Sequence, residues 1–311
     1  MYRFGFNVSW LEQARTDGRA RWWMYPGWFV ANYSSHSTCS HYSTQRGGHQ
    51  RVISYSYYNP GHVTADPDDQ HYKKYLLQLY GRARVVKQMY PGWIMRIYHN
   101  VSTHDAVSSE FLCRIYCDYP HVDLCDVTRL PGLGNLVEQN VVGRVWRFAV
   151  MGDPTVDVFL VRDSDSWILD REVAAVHEWL ASGRGFHVMR DFPQHKAIML
   201  AGLWGGHNRW PQRLRKIRED MFDQPLNLTR HFDQHLLANL LWPVIKKDVL
   251  QHDSYNCRYE DHKGARPFPV QRKDGLYCGW GSFKTRERRV VLRTPCPKEC
   301  RPQAHPSWTH C

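Results

Sequence analysis

Val156-Asp157-Val158-Phe159-Leu160-Val161-Arg162-Asp163-Ser164-Asp165-Ser166 is the stretch on which the reading of this chain turns. Val156–Val161 has the length and apolar character of a buried strand. Two carboxylates spaced i, i+2 follow it at once. In open α/β sheets ligands bind beyond the carboxyl ends of the strands, which is where Asp163 and Asp165 would emerge. Carboxylates this close repel each other unless one is protonated or a cation lies between them. A divalent metal with oxygen ligands removes the repulsion, and bridging to a phosphate is its usual task. The competing reading is a solvated turn whose Asp and Ser residues cap a helix beginning near Leu169.

Working outward, strand-like runs at Val52–Tyr58, Trp93–Tyr98, His121–Val127, Phe186–Met189 and Ile198–Leu203 alternate with helical patterns. The helices are expected at Asp68–Met89, from a Ser102-x-x-Asp105 capping box to about Tyr119, at Asn135–Val150 and at Leu169–Ser182. Such alternation predicts an α/β fold with a mostly parallel central sheet and helices on both faces. After Arg209 the chain turns helical, at Pro211–Phe222 and His231–Trp242. The expected organisation is an irregular extension over 1–50, a catalytic domain over 51–275 and a Cys/Pro-rich tail over 276–311. MYPGW occurs at Met24–Trp28 and Met89–Trp93, which reads as a turn used twice.

The chain has 311 residues, 42% hydrophobic and 23% charged, so it can bury a core and global disorder is excluded. No apolar run approaches a membrane span, and the first residues lack the apolar segment of a signal peptide. The net charge of +11 favours anionic partners. Its densest stretches, Arg209–Arg218 and Lys284–Arg293, lack the interleaved aromatics of single-strand binders, which sets nucleic acid behind a solvated basic face. Nine cysteines leave at least one unpaired thiol in an oxidised monomer. Cys113 and Cys117 read as buried free thiols, and Cys296–Cys311 as a stapled extension. Sequons at Asn7, Asn32, Asn100 and Asn227 favour a secretory compartment such as the Golgi or ER lumen and a glycoprotein, against the missing signal.

At its strand end the Asp163-x-Asp165 triplet resembles the DxD motif of metal-dependent glycosyltransferases with the GT-A fold. Ala201-Gly202-Leu203-Trp204-Gly205-Gly206 is similar to an acceptor-side strand of the glycogenin-like members, and Asp233-Gln234-His235-Leu236-Leu237-Ala238-Asn239 to their DQ-x-LLN segment. His252, in Gln251-His252-Asp253-Ser254-Tyr255, stands where a late histidine completes the metal shell in many such enzymes. The string from Tyr90-Pro91-Gly92-Trp93 through Arg171-Glu172 and His187–Asp191 to His252–Tyr255 most resembles a sparsely characterised GT-A-like group. The resemblance covers roughly residues 50–275, and no donor-base motif accompanies it.

The resemblance implies transfer of a sugar from a nucleotide-sugar donor to an acceptor that the sequence does not name. Mn²⁺ or Mg²⁺ held by Asp163, Asp165 and His252 would neutralise the departing diphosphate. Asp253 would orient the imidazole. Arg162 either contacts the phosphates or pairs with Asp157 or Glu172. Asp233 and Gln234 join the catalytic set, while Gly202, Trp204 and Gly205 belong to the acceptor side. Asp191, in Phe186–His195, is either a general base or the partner of Arg190. Two other readings stand beside this one: a non-catalytic binder of anionic glycan or nucleic acid on the same scaffold, and a metal-dependent phosphoesterase. His121-x-Asp123 matches an iron facial-triad spacing but sits in the wrong kind of fold. No GxSxG, Walker A or GxGxxG occurs.

Overall fold

The computed structural model describes residues 36–58, 71–102, 104–281 and 283–311. In chain order the elements are α1 (His41–Gln45), β1 (Gln50–Tyr57), α2 (Leu77–Met89, entered through a π-turn at Tyr72–Leu76), β2 (Ile94–His99), α3 (Ala106–Asp118), β3 (Val122–Asp126) and a 3₁₀ turn at Trp146–Val150. Then come β4 (Val156–Arg162), α4 (Asp170–Ala181), β5 (Phe186–Arg190), β6 (Leu203–His207), α5 (Pro211–Phe222), α6 (Phe232–Leu236), α7 (Trp242–Ile245), β7 (Val249–Asp253) and α8 (Thr285–Arg293). The fold is α/β. Among the described residues the sheet has seven strands in the order β3-β2-β1-β4-β6-β5-β7. β1 pairs with β2, β2 with β3 and β5 with β7 in parallel, whereas β5 and β6 are antiparallel. Every residue of β2 and β5 is buried, as expected of strands covered on both faces.

The chain divides into two compact units. The first takes the described residues up to Phe159 together with Asn208–Leu228. Within it, Arg96 on β2 is fully buried and donates to Asp153 at 2.8 Å and to Gln50 at 2.7 Å. Arg46 holds Asp123 at 2.7 Å, and Ser37 and Thr38 both donate to Asp153 at 2.8 Å. With the Cys39–Cys125 disulfide, these bonds make residues 36–50 part of the unit rather than an irregular extension. Residues 1–35, including Asn7, Asn32 and the first MYPGW, lie outside the described residues, as does the expected helix start at Asp68.

The second unit comprises Leu160–His207 and Thr229–Cys311. Here the tail is integral: Cys257–Cys300 and Cys296–Cys311 are bonded, and Tyr277, Cys278 and Trp280 are buried. The domain boundary expected at residue 275 is therefore corrected. Cys113 and Cys117 are unpaired but only half-buried, and Cys278 is an unpaired buried thiol.

Three element expectations also change. Asp105, not Ser102, caps α3, because its side chain accepts from Ser108 N at 3.0 Å. Residues 135–145 are turns, since Asn140 adopts φ 59°, a left-handed conformation that ends a helical run. The strand expected over Ile198–Leu203 begins only at Leu203, and the Ile198 carbonyl instead accepts from the buried Arg190 guanidinium at 2.7 Å.

Candidate active site

β4 is the fourth of seven strands and delivers Asp163 and Asp165 into a turn, closed by Ser166 N donating to Asp163 O at 3.2 Å. Ser164 and Ser166 are buried in that turn, while both aspartates are half-buried and reach solvent. Two glycines fix its position. The Asp163 carboxylate lies directly against Gly202, on the turn leading into β6, so that a Cβ there would overlap Oδ2, Cγ and Oδ1. The Asp165 carbonyl lies equally close to Gly281.

Gly281 ends a strap, Tyr277-Cys278-Gly279-Trp280-Gly281, that sequence reasoning missed. Trp167 N donates to Trp280 O at 2.7 Å, and Ser166 Oγ to Gly279 O at 3.2 Å. The Trp167 and Trp280 rings meet edge to face with centroids 5.2 Å apart. Gly279 has φ 92°, which side chains rarely adopt, and a Cβ there would also sit 3.1 Å from Leu203. The strap buries its side chains in two directions. Cys278 joins Ala175, Met189, Leu203 and Phe268, whereas Tyr277 and Trp280 join Phe192 and Val291. The legible signal was three glycines in the seven residues from Gly275 to Gly281.

Asp191 is not a general base. It is fully buried and takes Arg171 Nε and Nη2 at 3.0 Å each, Arg272 Nη2 and Ser254 Oγ at 2.5 Å each, and Cys278 N at 3.0 Å. Its acceptor capacity is filled. Burial alone would raise its pKa, but Arg171 and Arg272 outweigh burial and hold it well below the usual carboxylate range. A proton acceptor this acidic and enclosed has little basicity to offer. Through Cys278 N, Asp191 instead anchors the strap. Arg190 pairs with Asp253, at 2.6 Å, not with Asp191.

Arg162 takes the pairing with Glu172. Its guanidinium is buried, donating to Glu172 at 2.7 Å and to the carbonyls of Val161 and Trp204 at 2.8 and 2.9 Å. Trp204 is itself fully buried and Gly205 pairs with His187 inside the sheet, so neither presents an acceptor surface. Gly202 instead lies against the Asp163 carboxylate.

His252 lies in the edge strand β7, opposite Met189 of β5. Two to three strand spacings, roughly 10–14 Å, separate that strand from β6 and β4, where Asp163 sits. Both its ring nitrogens are engaged, Nδ1 with His187 Nε2 at 2.8 Å and Nε2 with Glu178 at 3.2 Å. Asp253 cannot orient it, because successive strand residues point to opposite faces; Asp253 meets Arg190 and His262 instead. Burial pushes His252 and, further, His187 below the ordinary histidine value, and the two rings form a hydrogen-bonded pair in the core. The assignment of His252 as a metal ligand is corrected. Asp233 is buried in the first turn of α6, and Gln234 beside it contacts His231 at 3.3 Å.

Among the described residues no group of three His, Cys, Asp or Glu side chains converges to hold a metal ion. Two half-buried carboxylates, one seated on a glycine that leaves it room, match a different arrangement. Mg²⁺ and similar ions are commonly held by one or two carboxylates, with water and substrate phosphate completing the shell. Two carboxylates of this kind would hold such an ion only together with water and a phosphate group, not as a resident all-protein cage.

No protein-family model matches the chain, and neither does any curated protein. Among solved structures it is similar to a glycosyltransferase involved in glycosylation of the major capsid of PBCV-1, at 13% identity and a TM-score of 0.38 over 66% of this chain and 83% of that one. It is also similar to the mannosyltransferase PcManGT from Pyrobaculum calidifontis, solved with GDP-Man and Mn²⁺, at 13% identity and a TM-score of 0.38. That overlap takes 80% of this chain and 63% of the mannosyltransferase, less than two thirds of its length.

Proposed function

We propose that this chain is a glycosyltransferase that takes a sugar from a nucleotide-sugar donor. The observation that carries the reading is the Asp163–Ser166 turn at the end of a central strand, held from one side by Gly202 and from the other by the Tyr277–Gly281 strap. A site meant only to cap a helix needs no such double support. Asp163 and Asp165 would hold Mn²⁺ or Mg²⁺ together with the donor, and the bound ion would offset the charge on the departing diphosphate. The strap keeps the turn in one geometry, so the carboxylates need little reorganisation when the donor binds. Ser166 ties the turn to the strap through the Gly279 carbonyl, and Trp280 packs edge to face against Trp167.

Three disulfides among the described cysteines fit an oxidising compartment, in keeping with the sequons at Asn100 and Asn227. No helix among the described residues is long and apolar enough to cross a membrane. The test is thermal denaturation with Mn²⁺ alone, nucleoside diphosphates alone, and both together. Linkage predicts a rise in Tm only for the combination, absent from Asp163→Asn and Asp165→Asn. A flat response to every combination overturns the reading.

A further inference from the structure

α8 divides its charges by face. Of the residues turned inward, Glu287 accepts from Tyr277 OH, and Arg288 donates to the Asp274 carbonyl at 2.6 Å. Lys284, just before the helix, donates to the Gly279 carbonyl at 2.7 Å. Val291 on the same side is fully buried. The outward side carries Arg286, Arg289 and Arg293, all exposed and none with a carboxylate partner among the described residues. Their i, i+3, i+7 spacing puts them in one line, about 10 Å long at 1.5 Å per residue.

This line disfavours the free helix. Like charges at i, i+3 and i+4 repel, and Arg286 sits in the first turn, where the helix dipole is also positive. A chain of anionic groups laid along the line would relieve both effects. Along the chain the line begins five positions after Gly281, against which the Asp165 carbonyl packs. Between Arg286 and Arg293 the exposed apolar side chain is Leu292, while Val290 packs against the Tyr277–Val291 cluster, and the one exposed aromatic nearby among the described residues is Phe283, short of the run of stacking rings that single-stranded nucleic acid uses.

We propose that the acceptor is a polyanionic glycan, whose carboxylate or sulfate groups lie along Arg286, Arg289 and Arg293. The acceptor role rests on the glycosyltransferase reading; the binding surface does not. The test is fluorescence anisotropy of the full chain with a labelled heparin dodecasaccharide, without metal or donor, and with labelled dT12 in parallel. The triple variant Arg286→Ala, Arg289→Ala, Arg293→Ala should bind heparin roughly 10- to 100-fold more weakly, and its slope of log affinity against log salt should fall by about 2–3. The corresponding triple Lys variant should keep most of the affinity. Arg213→Ala with Arg215→Ala, on α5, should leave it unchanged. Heparin binding by the triple Ala variant equal to wild type overturns the proposal, as does tighter binding of dT12 through the same arginines. Because no metal or nucleotide is present, a missing nucleotide response counts against the glycosyltransferase reading alone.

Discussion

Gly202→Ala should separate the chemistry of the Asp163 turn from its stability. Gly202 does not adopt a positive φ, so alanine is conformationally admissible there and removes some freedom from the unfolded chain, worth about 0.4–1 kcal/mol in favour of folding. The new methyl, however, would occupy the space of the Asp163 carboxylate, with even Oδ1 only 2.7 Å away. That is roughly 1 Å short of ordinary contact. The methyl's neighbours are the end of a half-buried side chain on a turn, so the carboxylate can swing aside without disturbing the core. Net stability should change by under about 1 kcal/mol. A displacement of about 1 Å at a reacting site can cost about 100-fold in rate, near 2.7 kcal/mol. The assay is donor turnover with Mn²⁺, alongside urea denaturation, for Gly202→Ala, Asp163→Asn and the double variant. The double variant should be no worse than Asp163→Asn, because both changes act through one carboxylate. Full activity in Gly202→Ala, or additive losses in the double variant, would refute the reasoning.

Asp191→Asn should cost about 3–5 kcal/mol of stability, since it leaves Arg171 and Arg272 buried without their countercharge. Two separate buried networks set the acid limit. Burial opposes it, but Arg96 and Thr155 hold Asp153 at about 2, against 3.8 for a free aspartate, and Arg171 and Arg272 hold Asp191 lower still. Folded values below unfolded ones give stability that is complete above about pH 4 and is lost as pH falls through 2, with about 2 kcal/mol from Asp153. Urea denaturation from pH 7 to 2 checks this, and Asp191→Asn should show the shallower acid loss. His252→Ala should lower stability by about 1–3 kcal/mol, by stranding the buried His187 ring, while Glu178 keeps Arg266 and the response of the folded protein to Mn²⁺ with nucleoside diphosphate persists. Selective loss of that response at unchanged stability would return His252 to the metal shell.

What the sequence made legible follows from the range of each interaction. Val156–Val161 declared itself because a buried strand is written in consecutive residues, and the alternation of strands with helices carried the fold class. The turn after it was legible for the same reason. Ile198–Leu203 misled because its apolar run looks like a strand, yet its backbone is diverted to solvate Arg190 and to seat Asp163. His252 misled because strand position says nothing of which neighbours lie across the sheet, and its pairing with His187 is a contact between residues 65 apart. Asp191 carries no local mark of the two guanidinium groups that enclose it, one of them 81 residues downstream. The strap was hidden by the same distance, although its glycines marked a backbone that something else approaches closely.

That distance also sets a schedule for the newborn protein. Gly281 follows Asp165 by 116 positions, and until it has been synthesised the Asp163–Ser166 turn lacks one of its two supports. At about 5–20 residues per second, a ribosome needs roughly 6–23 s to cover that interval. During those seconds the sheet can begin to form around β4 while the turn beyond it stays loosely held. The nascent polypeptide would thus acquire its carboxylate geometry late, after most of the chain has left the ribosome, and a chain interrupted before Gly281 would carry both aspartates with only the Gly202 side of their support.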